Sequence, residues 1–144
     1  MRLSMESNKQ QIIFVDTSFF KALVDLKDDF HQEAKAIWMK IEKEKCELIT
    51  TNYILDESFT LIRIRCGVET VSEFRRRLLG GLASLKIVRV MIVDEIGAWE
   101  WFENDWKDLS FTDCVSFAIM NRLKLERVAT FDKHFIKAGF QIEM

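Results

Sequence analysis

The sequence predicts an α/β protein, a three-layer α/β/α sandwich around a central parallel sheet of four or five strands. Three observations carry that expectation. Short segments rich in β-branched and aromatic residues alternate with segments of helical periodicity. The stretches between the short segments are long enough for right-handed crossovers between parallel strands. An apolar content of 49% over 144 residues is enough for one buried core without disulfides or metal staples.

The elements follow in order. Residues 1–10, "MRLSMESNKQ", are polar and are expected to be a flexible N-terminus ahead of one domain spanning 11–144. "QIIFV" (11–15) reads as a buried strand ending on Asp16, with Thr17 or Ser18 as the natural cap of a following helix, and with a cap or turn role for Asp16 itself as the structural alternative to a functional one. "FHQEAKAIWMKIEKEK" (30–45) places Phe30, Ala34, Ile37, Trp38 and Ile41 on one apolar helical stripe. "CELIT" (46–50) is a second strand, and "ILDESFTLIRIRC" (54–66) a helix with Leu55, Phe59 and Ile62 inward. Residues 69–85 form a helix kinked or divided at Gly80 and Gly81. "KIVRVMIV" (86–93) is a third strand, followed by helices over 95–107 and 112–124. "ERVAT" (126–130) and "FQIE" (140–143) complete the strands. Proline is absent and glycine scarce, so the connections should be short.

Charge and cysteine content narrow the function classes. The net charge of −2 argues against a protein held to nucleic acid by broad positive charge. The distribution is uneven: Arg63, Arg65, Arg75, Arg76 and Arg77 cluster over 63–77, whereas 94–108 is acidic. A local positive segment of that kind can meet a phosphate backbone while the rest keeps the chain soluble, although a solvated helix face would look the same. Cys46, Cys66 and Cys114 are odd in number, widely spaced and without a C-x-x-C pair, as expected of reduced thiols in a cytoplasmic protein. No stretch approaches the roughly 20 apolar residues of a membrane span, and no secretory leader is expected.

In a parallel α/β sheet, ligands gather beyond the carboxyl ends of the strands near a topological switch point. Asp16 leaves the first strand at that end. Glu57 follows the second strand by less than two helical turns, near a buried stripe, and is preferred there over Asp56. Asp113 sits three residues after Ser110 in a capping-box spacing, but it opens a helix whose Cys114, Phe117, Ala118 and Ile119 are apolar, which makes a purely solvated role costly. Asp132 closes the fourth strand and is also placed to cap the short helix beyond. If neighbouring strands flank the first, these four acids converge on one rim. Such a cluster needs a cation or raised pKa values to persist. Mg²⁺ or Mn²⁺, which take carboxylate oxygens and bridge to phosphates, would make it a phosphodiester-hydrolysing site.

The series "VDTS", "LDES", "LSFTDCVSFAIM" and "TFDKHF", in this order, resembles the PIN-domain nucleases, in particular the small VapC-type toxin ribonucleases and their stand-alone relatives, from about Gln11 onward. The resemblance implies a Mg²⁺- or Mn²⁺-dependent endoribonuclease, frequent homodimers and, for a toxin, an antitoxin partner that places a basic residue among the acids. By position it implies Asp16, Asp113 and Asp132 as metal ligands and Glu57 as a further catalytic acid. Thr130, Ser18, Thr112 and Thr17 would orient these carboxylates. The alternatives are a catalytically silent PIN scaffold that binds RNA or protein, and an aspartate-based phosphohydrolase. The latter is disfavoured because Ser18 stands where such sites carry a second Asp. His31 and His134 are expected at the surface. Trp99, Trp101, Phe102 and Trp106 are expected in core or dimer packing.

Overall fold

The computed structural model describes residues 11–80 and 84–144. Its β-strands are β1 (Ile12–Val15), β2 (Glu47–Thr51), β3 (Leu85–Val88), β4 (Arg127–Ala129) and β5 (Gln141–Ile142). The helices are α1 (Thr17–Val24), α2 (His31–Lys43), α3 (Asn52–Cys66), α4 (Val68–Gly80), α5 (Ile92–Phe102), α6 (Phe111–Arg122) and α7 (His134–Lys137). All strand pairs are parallel, in the order β3-β2-β1-β4-β5. The chain therefore builds outward from β1 on one side and returns to its other side with β4. That reversal makes the β1/β4 seam the topological switch point, where helices leave on opposite sides and a crevice opens.

β1 occupies the centre because Ile13, Phe14 and Val15 are wholly buried and can be covered on both faces. Phe14 pairs with Ile49 of β2 and Val128 of β4, and Val15 pairs with Ala129. This register aligns the carboxyl ends of β1 and β4, and Asp16 N continues the ladder by donating to Ala129 O at 3.1 Å. Helix α6 is buried nearly all round, as its apolar run predicts: Cys114, Val115, Phe117, Ile119 and Met120 are fully inaccessible. Its close neighbour is α5, where a Cβ on Gly97 would lie 3.2 Å from Ala118 Cβ, so a side chain at 97 would push the two helices apart.

Four sequence-based expectations are corrected. Met91, Ile92 and Val93 do not extend β3. They begin α5, because Asn52 Oδ1 accepts from Val90 N at 2.8 Å and Asp94 Oδ2 accepts from Met91 N at 2.9 Å, which turns the chain out of the sheet. The helix expected over 69–85 ends at Gly80 and Leu85 already belongs to β3, while Gly81 lies outside the described residues. Asp16 itself, rather than Thr17 or Ser18, is the residue that caps α1. Phe30, expected on the buried stripe of α2, precedes that helix and is 43% exposed. The proposed flexible segment 1–10 also lies outside the described residues. Cys46, Cys66 and Cys114 are all unpaired.

Candidate active site

Two hydroxyls fix Asp16. Thr130 Oγ1 donates to Asp16 Oδ2 at 2.8 Å, and Ser18 Oγ donates to the same oxygen at 2.9 Å. Ser18 N, the capping contact, approaches it at a longer 3.4 Å. Everything that holds the side chain thus falls on one oxygen. Asp16 Oδ1 is buried without a hydrogen-bond partner, in a residue only 2% exposed. A cap needs one carboxylate oxygen, so capping leaves the second unexplained. An orphaned anionic oxygen in the interior costs several kcal/mol unless it is protonated or meets a cation.

The same hydroxyls tie β1 to the segment after β4. Thr130 Oγ1 accepts from Asp132 N at 3.0 Å, and Ser18 Oγ accepts from Phe131 N at 2.9 Å. Asp132 Oδ1 then accepts from His134 N at 2.9 Å, which sets the first turn of α7. Ser110 Oγ accepts from Asp113 N at 3.0 Å and caps α6, and the Asp113 carboxyl reaches Asp132 at the rim. Glu57 is half-buried on α3, whereas Asp56 is exposed, as the apolar neighbours of Glu57 suggested.

The electrostatics report how close these groups are. Burial raises the Asp16 carboxyl to about 6, against the two hydroxyl hydrogen bonds, and the charges of Asp132 and Glu57 add to the rise. Burial pushes the Asp113 carboxyl up to about 9, reinforced by the charge of Asp16 and by a hydrogen bond and charge from Asp132. Asp16, Asp113 and Asp132 therefore act on one another, and Glu57 joins them through its charge on Asp16. Without a cation the pair of Asp16 and Asp113 keeps one proton at neutral pH, on Asp113.

Sequence reasoning misplaced several groups here. His134, expected to face solvent, lies with its Nδ1 2.8 Å from Asp132 Oδ1 and 3.8 Å from Asp113 Oδ2. Its Nε2 meets Lys107 O at 2.8 Å and, since a carbonyl only accepts, must carry a proton. The ring stacks parallel to Trp106 with centroids 6.4 Å apart, so that tryptophan also belongs to the wall of the site. Among the described residues, one group of potential ligand atoms lies within 4.8 Å of one another, and it comprises Asp113, Asp132 and His134, with Asp16 outside it. The signal for His134 was its spacing two residues beyond Asp132. Thr17 does not orient a carboxylate; its hydroxyl donates to Ile54 O at 3.5 Å. Nor does Thr112 among the described residues, where its carbonyl accepts from Ser116 Oγ at 3.1 Å. Thr112 precedes Asp113 on the helix and so points about 100° away from it. His31 is buried, not superficial, with its Nδ1 2.8 Å from Ala22 O.

The donor set suits a hard divalent cation: carboxylates that converge from separate elements, one with an unused buried oxygen. A parallel α/β/α sheet with such a rim at its switch point defines a nuclease-like class. The chain belongs to the PIN domain family, whose model matches residues 13–141. It is 33% identical over 136 residues to the 23S rRNA-specific endonuclease VapC20 of Mycobacterium tuberculosis, covering 90% of this chain and 95% of the relative. A VapC ribonuclease of Archaeoglobus fulgidus is 28% identical over 127 residues, covering 84% of this chain and 77% of the relative. The crystal structure of M. tuberculosis VapC20, described as a sarcin-ricin loop cleaving toxin, superposes with a TM-score of 0.80 over 90% of this chain and 96% of that one.

Proposed function

We propose that this protein is a divalent-metal-dependent endoribonuclease of the VapC type, the toxin of a toxin–antitoxin pair, cutting a structured loop of ribosomal RNA. The observation that carries the reading is the unpartnered, buried Oδ1 of Asp16, in a carboxyl that feels the charges of Asp132 and Glu57. Asp16, Asp113 and Asp132 would hold Mg²⁺ or Mn²⁺, with His134 beside them and Glu57 as a further acid at the rim. A bound ion there would lower the pKa of a water and neutralise charge developing at phosphorus. The chain's own contribution is placement: Thr130 and Ser18 hold Asp16, and burial excludes bulk water from it. The 23S rRNA target is carried over from the relatives, which are similar along nearly their whole length.

Partners and location follow from the same reading. An antitoxin with a basic side chain would satisfy the acid cluster as a metal does. No described helix is long and apolar enough to cross a membrane, in keeping with a cytoplasmic protein that meets ribosomes. A homodimer is supported by an apolar face on α5, where Ile92 is 75%, Ile96 63% and Trp99 54% exposed.

The test is incubation of the protein with ribosomes and with purified 23S rRNA in Mn²⁺, in EDTA, and with Asp16→Asn in Mn²⁺. Cleavage at one site, confined to wild type with metal, is expected. Intact RNA in all conditions would leave a silent PIN scaffold as the function.

A further inference from the structure

Phe30 is the largest departure from the expected core. Its ring lies 4.6 Å from that of Phe131 at an interplanar angle of 8°, and Phe131 is itself stacked 6.1 Å from Phe19 at 15°. The three rings form a column that runs from the buried Phe19 to the exposed Phe30. An aromatic ring left at the solvent end of an ordered stack, beside a rim of acids, is not explained by core packing.

The column is rigidly attached to the site. Phe131 lies between Thr130 and Asp132, and its N–H is held by the Ser18 hydroxyl that also holds Asp16. Phe30 is fixed from the other side: its N–H donates to Asp28 Oδ1 at 2.8 Å, and Lys21 Nζ bridges Asp28 at 2.8 Å and Asp25 at 2.9 Å. The turn between α1 and α2 is thus stapled by a half-buried lysine whose charge is already spent on two carboxylates.

Next to the column is a groove of about 610 Å³ whose lining includes Ser18, Phe30, Phe131, Asp132, Lys27 and Arg65. It opens from the acid rim at Ser18 and Asp132, and Asp25 and Asp28, both bridged by Lys21, complete its charged lining. Of the arginine cluster, Arg65 alone lines this groove; Arg63 and Arg75 are likewise exposed and without an ion pair among the described residues, but lie outside its lining. Arg76 and Arg77 are paired with Glu73, whereas Arg65 and Lys27 are exposed and have no ion pair among the described residues. The groove therefore offers a flat apolar surface, two uncommitted cations and a direct opening to the proposed metal ligands.

We infer that this groove is the substrate subsite flanking the scissile phosphate, where an unstacked base of single-stranded RNA lies against Phe30 and the adjoining backbone phosphate is held by Arg65 and Lys27. The inference rests on the nuclease reading for what the rim does, but the binding it describes needs no cleavage. RNA loops present splayed bases that aromatic side chains take up without regard to base identity. A peptide would gain little from a lone stacking surface flanked by point charges. The subsite also explains how a protein of net charge −2 with an acidic site attracts a polyanion: Arg65 and Lys27, without an ion pair among the described residues, lie beside the proposed metal ligands, while Asp25 and Asp28 of the same lining are bridged by Lys21.

The experiment measures fluorescence anisotropy of a fluorescein-labelled single-stranded RNA oligonucleotide of mixed sequence, with Asp16→Asn as the parent so that no RNA is cut. Added Phe30→Leu should weaken binding about fivefold or more, as loss of one stacked base does, while Phe30→Trp retains it. Added Arg65→Gln should lower the slope of log affinity against log salt by about 0.7, the share of one single-strand phosphate, and Phe30→Leu should leave that slope unchanged. Lys35→Gln, the same kind of charge loss on the far side of α2, should change neither. In the wild-type background, Phe30→Leu should raise KM for RNA cleavage more than it lowers kcat. Unchanged affinity in both Phe30→Leu and Arg65→Gln overturns the assignment, whether or not the wild type cleaves, and leaves the groove to a protein partner. Failure of wild type to cleave any RNA, with the Phe30 and Arg65 effects present, would instead overturn the nuclease reading and uphold the RNA subsite.

Discussion

Asp16 carries two duties on two oxygens. Its Oδ2 closes the turn out of β1, and its Oδ1 is kept without a partner. Asp16→Asn keeps the shape and removes the charge, so the metal-free protein should melt at the same temperature or higher, while the rise in Tm on adding Mn²⁺ should vanish. Differential scanning fluorimetry with EDTA and Mn²⁺ checks this, and an intact Mn²⁺ response in the variant would mean that Asp16 only caps. The pH dependence has a definite sign. Asp16 and Asp113 are raised to about 6 and about 9 from an ordinary 3.8, so between those values the folded chain binds more protons than the unfolded one. Their stabilising contribution is complete below about pH 4 and is lost as pH rises toward 9. In EDTA, Tm should therefore fall between about pH 5 and pH 8, and Asp113→Asn should flatten that fall. Thr130 acts through Asp16 and Asp132 at 2.8 and 3.0 Å. Thr130→Val should cut kcat by about 10- to 100-fold with a smaller change in KM, as loss of a ligand-orienting contact does. The acids themselves were legible because each follows a strand or opens a helix at the same sheet end. His134 and Trp106 were not, because a histidine's surroundings depend on tertiary approach, here of the segment carrying Lys107 to α7.

At the level of elements, the strands and most helices follow from periodicity, whereas the β3–α5 junction does not. "KIVRVMIV" is apolar enough to continue as a strand, and a long-range contact from Asn52 together with a local cap from Asp94 stops it. Asp94 is buried and receives Arg122 Nε and Nη2 at 2.6 and 3.0 Å, so it anchors the start of α5 to the end of α6. Burial raises its carboxyl pKa, but the Arg122 hydrogen bonds and the Met91 N–H outweigh that, and the net value is below the ordinary range. Asp94→Asn should cost about 1–3 kcal/mol, the lower part of the range for charged hydrogen bonds being favoured because Arg122 is partly exposed. Because the folded pKa is depressed, this contribution is present above about pH 4 and is lost as pH falls further, opposite in sign to the acid cluster. Urea denaturation at neutral and acid pH should show the variant's deficit shrinking on the acid side. The turn before α2 illustrates the other limit of sequence reading. Phe30 has the correct helical phase for burial, yet the Lys21–Asp25–Asp28 staple ends the turn before the helix and leaves its ring outside.

For the whole molecule, the question is which surfaces remain to be covered. The sheet's core is closed, but α5 presents Ile92, Ile96 and Trp99 one turn apart on its outer side, bordered by Glu95, which accepts a hydrogen bond from Tyr53 of α3. Trp99 packs against Phe102 and Phe111 at 5.4 and 5.5 Å, so the patch is preorganised rather than a set of mobile side chains. The acidic segment identified over 94–108 flanks this face, with Glu100 and Glu103 exposed beside it. A polar ring around an apolar centre is the anatomy of a protein interface and a poor platform for RNA, whose phosphates those glutamates would repel. RNA and a second copy of the chain would then use opposite features: the aromatic groove between α1 and α3 with its Arg65 and Lys27, and the acid-rimmed apolar face of α5. Ile96→Glu puts a charge at the middle of that face without touching the acid rim. It should convert a dimer to a monomer in light scattering while leaving the Mn²⁺ response of Tm in place, since every proposed ligand belongs to one chain. A wild-type monomer at micromolar concentration would remove the dimer from this account, and a monomeric variant that lost its Mn²⁺ response would mean that the second copy helps to build the metal site.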